Sequence, residues 1–134
     1  MHINDRIVGL HHIAVGASDV QRVALFYSEV FGLRELTRHL FADGQIRSIW
    51  LNLDGAILMI EKTERTRELV QGVESGLFLL AFAIEASKRA GLEQLLESMG
   101  HRIEARTQHT SYSRDPEGNR IAISCYEQAP NDPA

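Results

Sequence analysis

The feature that most constrains this chain is that its local pattern runs through once and then begins again. Residues 9–15 (GLHHIAV) read as a short strand, with Ile13 and Val15 alternating against His12 and Ala14. Ser18 then reads as a helix N-cap with Gln21 as the reciprocal partner of a capping box, and Asp19 favours the first turn. Val20, Val23, Ala24, Tyr27, Val30 and Phe31 recur at helical spacing, and Gly32 closes the helix. Three strand-like runs follow, 33–41, 45–53 and 56–62, separated by Asp43-Gly44 and Asp54-Gly55. Asp-Gly between apolar runs is the strongest short hairpin signal. The charged segment 63–76, with its ERTRE run, reads as a solvated linker. A strand at 76–85 then restarts the pattern. It is followed by a helix over 87–99 ended by Gly100, two short strands at 102–106 and 109–114, a turn at Asp115-Pro116-Glu117-Gly118-Asn119, and a strand at 121–126. The tail from Gln128 is expected to fray.

Both halves are therefore β-α-β-β-β. Repetition of a supersecondary unit outweighs any single motif in deciding a fold. Neither half buries both its sheet face and its helix alone. The expectation is one α+β domain over residues 1–134, with module one at 9–62, a linker at 63–76 and module two at 77–126. The two modules pair into a curved mixed sheet around a cleft.

Composition removes several functional classes. The net charge is −4, with no basic block, which argues against nucleic-acid binding and against a cationic membrane-surface helix. The longest apolar runs are too short to span a bilayer. The N-terminal residues lack a basic region followed by an apolar one, so no secretory signal is expected. One cysteine, Cys125, rules out an internal disulfide framework or a cysteine zinc site and reads as a small buried hydrophobe. A soluble cytoplasmic protein is expected.

The residues that carry a resemblance are His12-Ile13-Ala14-Val15 with Asp19, Phe26-Tyr27, Phe31-Gly32-Leu33, Ala81-Phe82 and Asp115 through Ile121. With the paired modules, they make the chain similar to the vicinal oxygen chelate superfamily. That group contains glyoxalase I, extradiol dioxygenases, methylmalonyl-CoA epimerase, and the fosfomycin- and bleomycin-resistance proteins. The resemblance implies a divalent metal held by one side chain from the first and one from the last strand of each module. Carried over, the first-strand positions fall on His12 and Leu79, and the last-strand carboxylate of module two falls on Ala122. In module one the matching position is Met59, with Glu61 two residues further on the same strand face. Leucine and alanine cannot donate to a metal, so the resemblance supports the fold while the usual chemistry lacks its ligands. Adjacent His11 and His12 are expected on opposite faces of their strand, unable to share an ion.

Other residues remain open between site and scaffold. Trp50, Met59, Phe41 and Leu79 either line the cavity or fill the core. His109, Ser111 and Tyr112 either form a polar wall or sit on an exposed hairpin edge. Arg47 and Glu61 either pair or are separately solvated. Three functions follow. The first is a metal-free small-molecule-binding protein whose cleft presents Met59, Leu79, Ala122, Trp50, His109 and Tyr112. The second is a metal-dependent lyase, isomerase or dioxygenase using His12 and Glu61 as catalytic and metal-binding residues, with His109 as a further ligand. The third is a structural module whose cleft is filled by its own side chains. The wide apolar surface of the first helix, and Trp50 opposite the aliphatics of its strand, lead us to expect a homodimer.

Overall fold

The computed structural model describes residues 5–127, so the expected fraying of the tail lies outside the described residues. The chain divides after Arg67 into two compact units, each a β-α-β-β-β module. The second part of the charged linker belongs to the second unit. There Val70 accepts a hydrogen bond from Arg114 Nη2 at 2.7 Å.

In module one, β1 (His12–Ala17), α1 (Val20–Phe31), β2 (Glu35–Leu40), β3 (Ile46–Asn52) and β4 (Ile57–Lys62) form a mixed sheet in the order β1-β4-β3-β2. The α1 crossover carries the chain away from β1. Two hairpins then return β4 to lie parallel with it. The Asp54-Gly55 hairpin is built as the sequence implies, with φ of 59° at Asp54 and 109° at Gly55. Positive φ at both central residues matches the right-handed twist of the flanking strands. The helix begins one residue later than the capping reading places it. Asp19 is the N-cap, and its carboxylate accepts from Arg22 N at 3.1 Å. Gln21 instead accepts from Arg38 on β2. Gly32 closes the helix in the left-handed region, as expected. Strand β1 starts at His12 rather than Gly9, so His11 lies outside the pleat.

One face of this sheet carries Ile49, Leu51, Leu58 and Ile60, all fully buried, and packs on Val20, Val23, Tyr27 and Val30 of α1. Burying four such aliphatic side chains contributes on the order of 8 kcal/mol before chain entropy is charged. Phe26 and Tyr27 are buried within the chain itself. They therefore leave no open helix surface of the kind the dimer expectation invoked.

Module two repeats the plan with β5 (Leu80–Ala83), a 3-10 turn (Ala86–Lys88), α2 (Arg89–Ser98), β6 (Ala105–Arg106), β7 (Thr110–Arg114) and β8 (Arg120–Ser124), in the order β5-β8-β7-β6. The α+β class and the repetition of one β-α-β-β-β unit are as expected. Each module carries its own four-stranded sheet, with one parallel and two antiparallel pairings.

The second helix docks differently from the first. Leu96 is its only fully buried residue. A polar clamp holds it instead. Arg89 donates to Ser111 Oγ and to the carbonyls of Thr107, Gln108 and Thr110. The hydroxyl of Ser111 donates to Glu93, which also pairs with Arg106 at 3.0 Å. Arg106 holds the Glu93 carboxyl below the usual carboxylate range, with the Ser111 hydrogen bond acting in the same direction.

Candidate functional site

The face of the first sheet turned away from α1 is set by strand register. Ala14, Met59 and Trp50 are cross-strand neighbours on β1, β4 and β3, and Gly16, Glu61 and Ser48 form the next row. His12 and Ile57 begin the same face one row earlier. Parity along the chain leaves Trp50 unassigned; the register places it directly beside Met59.

Ser48 is buried, and its hydroxyl donates to the Glu61 carboxylate. Arg47 lies on the opposite parity of β3 and is exposed, so Ser48 and not Arg47 partners Glu61. His39 stands across from Ser48 on β2, and its ring meets the Trp50 ring edge-on with centroids 4.8 Å apart. Trp50 Nε1 and His39 Nδ1 are both buried and have no hydrogen-bond partner among the described residues. A buried donor left unpaired costs about 1–3 kcal/mol, so such atoms mark places where another acceptor belongs.

His12 and Glu61 share this face but not a row. Glu61 is opposite Gly16, four residues along from Ile57, the partner of His12. At the rise of a β-strand that separation is about 13 Å. The expectation that His11 and His12 diverge is corrected. Because His11 precedes the pleat, the two rings meet, with Nδ1 to Nδ1 at 2.9 Å.

The equivalent face of module two is built from the same register. Ala81, Ala122 and Tyr112 are cross-strand neighbours, as Ala14, Met59 and Trp50 are in module one. Leu79 stands two residues before Ala81, as His12 stands two before Ala14. The next row pairs Ser124 with Thr110, whose hydroxyls hydrogen-bond at 2.9 Å where Ser48 and Glu61 bond in module one. Ser111 has the opposite parity and belongs to the α2 clamp, so it forms no wall with Tyr112. His109 precedes β7. Its carbonyl accepts from Cys125 N and lies 3.4 Å from Cys125 Sγ, and its ring stacks edge-on with Tyr126 at 5.4 Å. Phe41 lies just beyond the end of β2 and is substantially exposed.

Sequence reasoning missed Arg120, the residue between Asn119 and Ile121. Its guanidinium carbon lies 4.7 Å from the Phe78 ring centroid and 4.9 Å from that of Tyr112. Its Nε is buried without a partner among the described residues. An arginine one row from Ala122, within reach of a neighbouring Tyr, was the available signal.

This fold and site define a class. A family model described as Glyoxalase/Bleomycin resistance protein/Dioxygenase superfamily matches residues 9–123, and the chain belongs to that superfamily. Among solved structures, it is similar to a mutant of the genomically encoded fosfomycin resistance protein FosX from Listeria monocytogenes, complexed with Mn(II) and 1S,2S-dihydroxypropylphosphonic acid. That likeness has 15% identity over 91% of this chain and 95% of that one, with a TM-score of 0.77. A glyoxalase/dioxygenase from Nostoc punctiforme shares 23% identity over 96% and 97% of the two chains, with a TM-score of 0.76. TioX from Micromonospora sp. ML1 shares 20% over 89% and 99%, with a TM-score of 0.65. No curated protein matches the chain in sequence.

The residues present do not fit the divalent metal that the family resemblance implies. Of the four positions His12, Met59, Leu79 and Ala122, only His12 carries a nitrogen donor, and Met59 offers a soft thioether. Hard and borderline cations in open sites need three or more protein ligands from oxygen and nitrogen. Among the described residues, no group of three or more His, Cys, Asp or Glu is placed to hold a metal ion. None of the described helices is long and apolar enough to cross a membrane.

Proposed function

We propose that this chain binds an organic, ring-bearing small molecule against the sheet rows that carry Trp50 and Met59 in module one and Tyr112 and Ala122 in module two, without a metal at the family's ligand positions. One observation carries the reading. Trp50 presents a buried, unpaired indole N–H beside Met59, the position where the resemblance implies a charged donor. A ligand that stacks on Trp50 and offers one acceptor satisfies that group and covers the apolar row. The replacement of donors by Met59, Leu79 and Ala122 works in the same direction, because it exchanges a hydrated ionic site for an apolar one.

Trp50 is the only tryptophan in the chain, so its fluorescence reports on this face alone. Titration with 2-naphthamide should change Trp50 emission saturably, and Met59→Lys should weaken the response at least fivefold. Elemental analysis of tag-free protein for Ni, Zn, Mn, Fe and Co should return well under one equivalent. One equivalent of metal retained through native purification, or no response of Trp50 to the probe, overturns the proposal.

The same reading proposes a homodimer and a cytoplasmic location. Leu25, Leu36, Leu40 and Phe41 are exposed in module one, and three of them lie on or beside the edge strand β2. An exposed apolar edge strand is a ready pairing surface. Light scattering at micromolar concentration should give the mass of two chains, and the mass of one chain would refute the dimer. Cell fractionation tests the location.

A further inference from the structure

We propose that Arg120 is the recognition group for an anionic substituent on the ligand, so that module two selects aryl carboxylates, sulfonates or phosphonates over neutral aromatics. The inference deepens the proposed function and rests on it.

The argument begins with charge. Arg120 takes part in none of the ion pairs among the described residues. Its cross-strand partner is Arg114. Arg114 is already satisfied by Glu104 at 2.9 Å and by the carbonyls of Gly118 and Val70. Arg114 thus has a carboxylate partner and Arg120 has none among the described residues.

The second step is geometry. Phe78 and Tyr112 both present their rings to the guanidinium, at 4.7 and 4.9 Å. Contact with ring faces restrains the planar group and leaves its N–H edge, not its face, for bonding. That edge matches the two oxygens of a carboxylate or phosphonate. The buried, unpaired Nε is one prong of the fork. Leu79 and Ala122, at the positions where the resemblance implies metal donors, add no charge to this row. Arg114, the cross-strand neighbour, is met by Glu104, so the cation left to an incoming anion among the described residues is Arg120.

The turn before β8 fixes the arrangement. Asp115 accepts from Glu117 N, Asn119 N and Asn119 Nδ2, all at 2.9 Å, and so sets where Arg120 enters the strand.

The test uses a near-isosteric probe pair, 2-naphthoate and 2-naphthamide, measured by calorimetry. The wild-type chain should bind naphthoate at least tenfold more tightly than naphthamide, and the ratio should shrink as KCl is raised. Arg120→Gln should bring the two affinities within twofold of each other, chiefly by weakening naphthoate, and naphthoate should shift the Arg120 Nε–Hε resonance of the wild type. Arg120→Met, whose unbranched chain fills the same slot between the rings, decides the matter if Arg120→Gln is poorly folded. Naphthamide binding without a preference for naphthoate overturns this inference and leaves the proposed function standing. A preference that survives in Arg120→Met overturns it as well. Failure of both probes to bind the wild type removes the proposed function and this inference together.

Discussion

Replacing Asp115 by alanine tests whether the second module is organised from its turn. The side chain is 3% exposed and accepts three hydrogen bonds, two from the backbone N–H groups of Glu117 and Asn119 and one from the Asn119 amide. Hydrogen bonds to charged groups contribute about 1.5–3 kcal/mol each, and ordinary ones about 0.5–1.5 kcal/mol. The donors here are half-buried. The lower figure applies, and Asp115→Ala should cost about 3 kcal/mol. For a chain of this length that corresponds to a fall in Tm of roughly 10 °C. Asp115→Asn keeps an acceptor oxygen for the two backbone donors and should cost about 1 kcal/mol. Urea denaturation followed by circular dichroism measures both. A loss below about 1 kcal/mol for alanine would refute the reasoning, since the turn would then be held by its backbone bonds alone.

Three further outcomes follow from the same contacts. Glu93 has its carboxyl pKa depressed in the folded state, chiefly by Arg106, so its stabilisation is present above the unfolded carboxylate pKa and is lost as pH falls through the folded value. Glu93→Gln should therefore be less stable than wild type at pH 7 and converge with it in acid, as followed by thermal melts across pH. Trp50→Phe removes an unpaired buried donor, so stability should hold within about 1 kcal/mol or rise, while naphthamide affinity measured by calorimetry falls severalfold; a large loss of stability would mean that the indole N–H has a partner. Gly118 sits at a φ of 93°, and a Cβ there would collide with Leu69 Cδ2. Gly118→Ala should cost about 1–2 kcal/mol in a chemical melt, with backbone strain the larger share because the leucine tip can move.

The repeat, the two helices and the turns were legible because each rests on local signals. Asp54-Gly55 and the 115–119 turn are dictated by residues whose own backbone preferences leave few alternatives. The limits of strands were less legible. Gly9–His11 reads as strand from the sequence, yet the pairing with β4 starts only at the His11 carbonyl, which accepts from Ile57 N, and the ladder runs on from His12. The N-cap slipped by one because Ser18 and Asp19 are both good caps, and the choice is made by where the helix meets the sheet. Docking of α2 through Arg89 and Glu93 was invisible, since a charged pair four residues apart reads as solvated until β7 supplies Ser111. The site was legible only as a set of positions. That Trp50 neighbours Met59, and that Arg120 lies between two rings, depends on register and rotamer, which no pattern along one strand encodes.

Register also separates what the fold needs from what the ligand needs. At the row below the candidate site, module one pairs Ser48 with Glu61 and module two pairs Thr110 with Ser124. Different residues make the same cross-strand hydrogen bond, which marks that row as sheet scaffold. It also weakens the case for Glu61 as a free base, because its carboxylate is already engaged where its counterpart is a serine. One row along, the equivalence is positional without being chemical. Trp50 and Met59 stand where Tyr112 and Ala122 stand. Unpaired polar atoms occur at Trp50 in one module and beside Tyr112, at Arg120, in the other. A donor that the sheet does not use, recurring beside the equivalent row of both modules, is the arrangement expected where binding rather than folding chose the residues. Giving module one the row of module two tests this. Trp50→Tyr with Met59→Ala should preserve the melt to within a few degrees, because the Ser48–Glu61 row and the α1 face are untouched, and should weaken naphthamide binding severalfold in calorimetry. A collapse of stability would place the row in the scaffold instead.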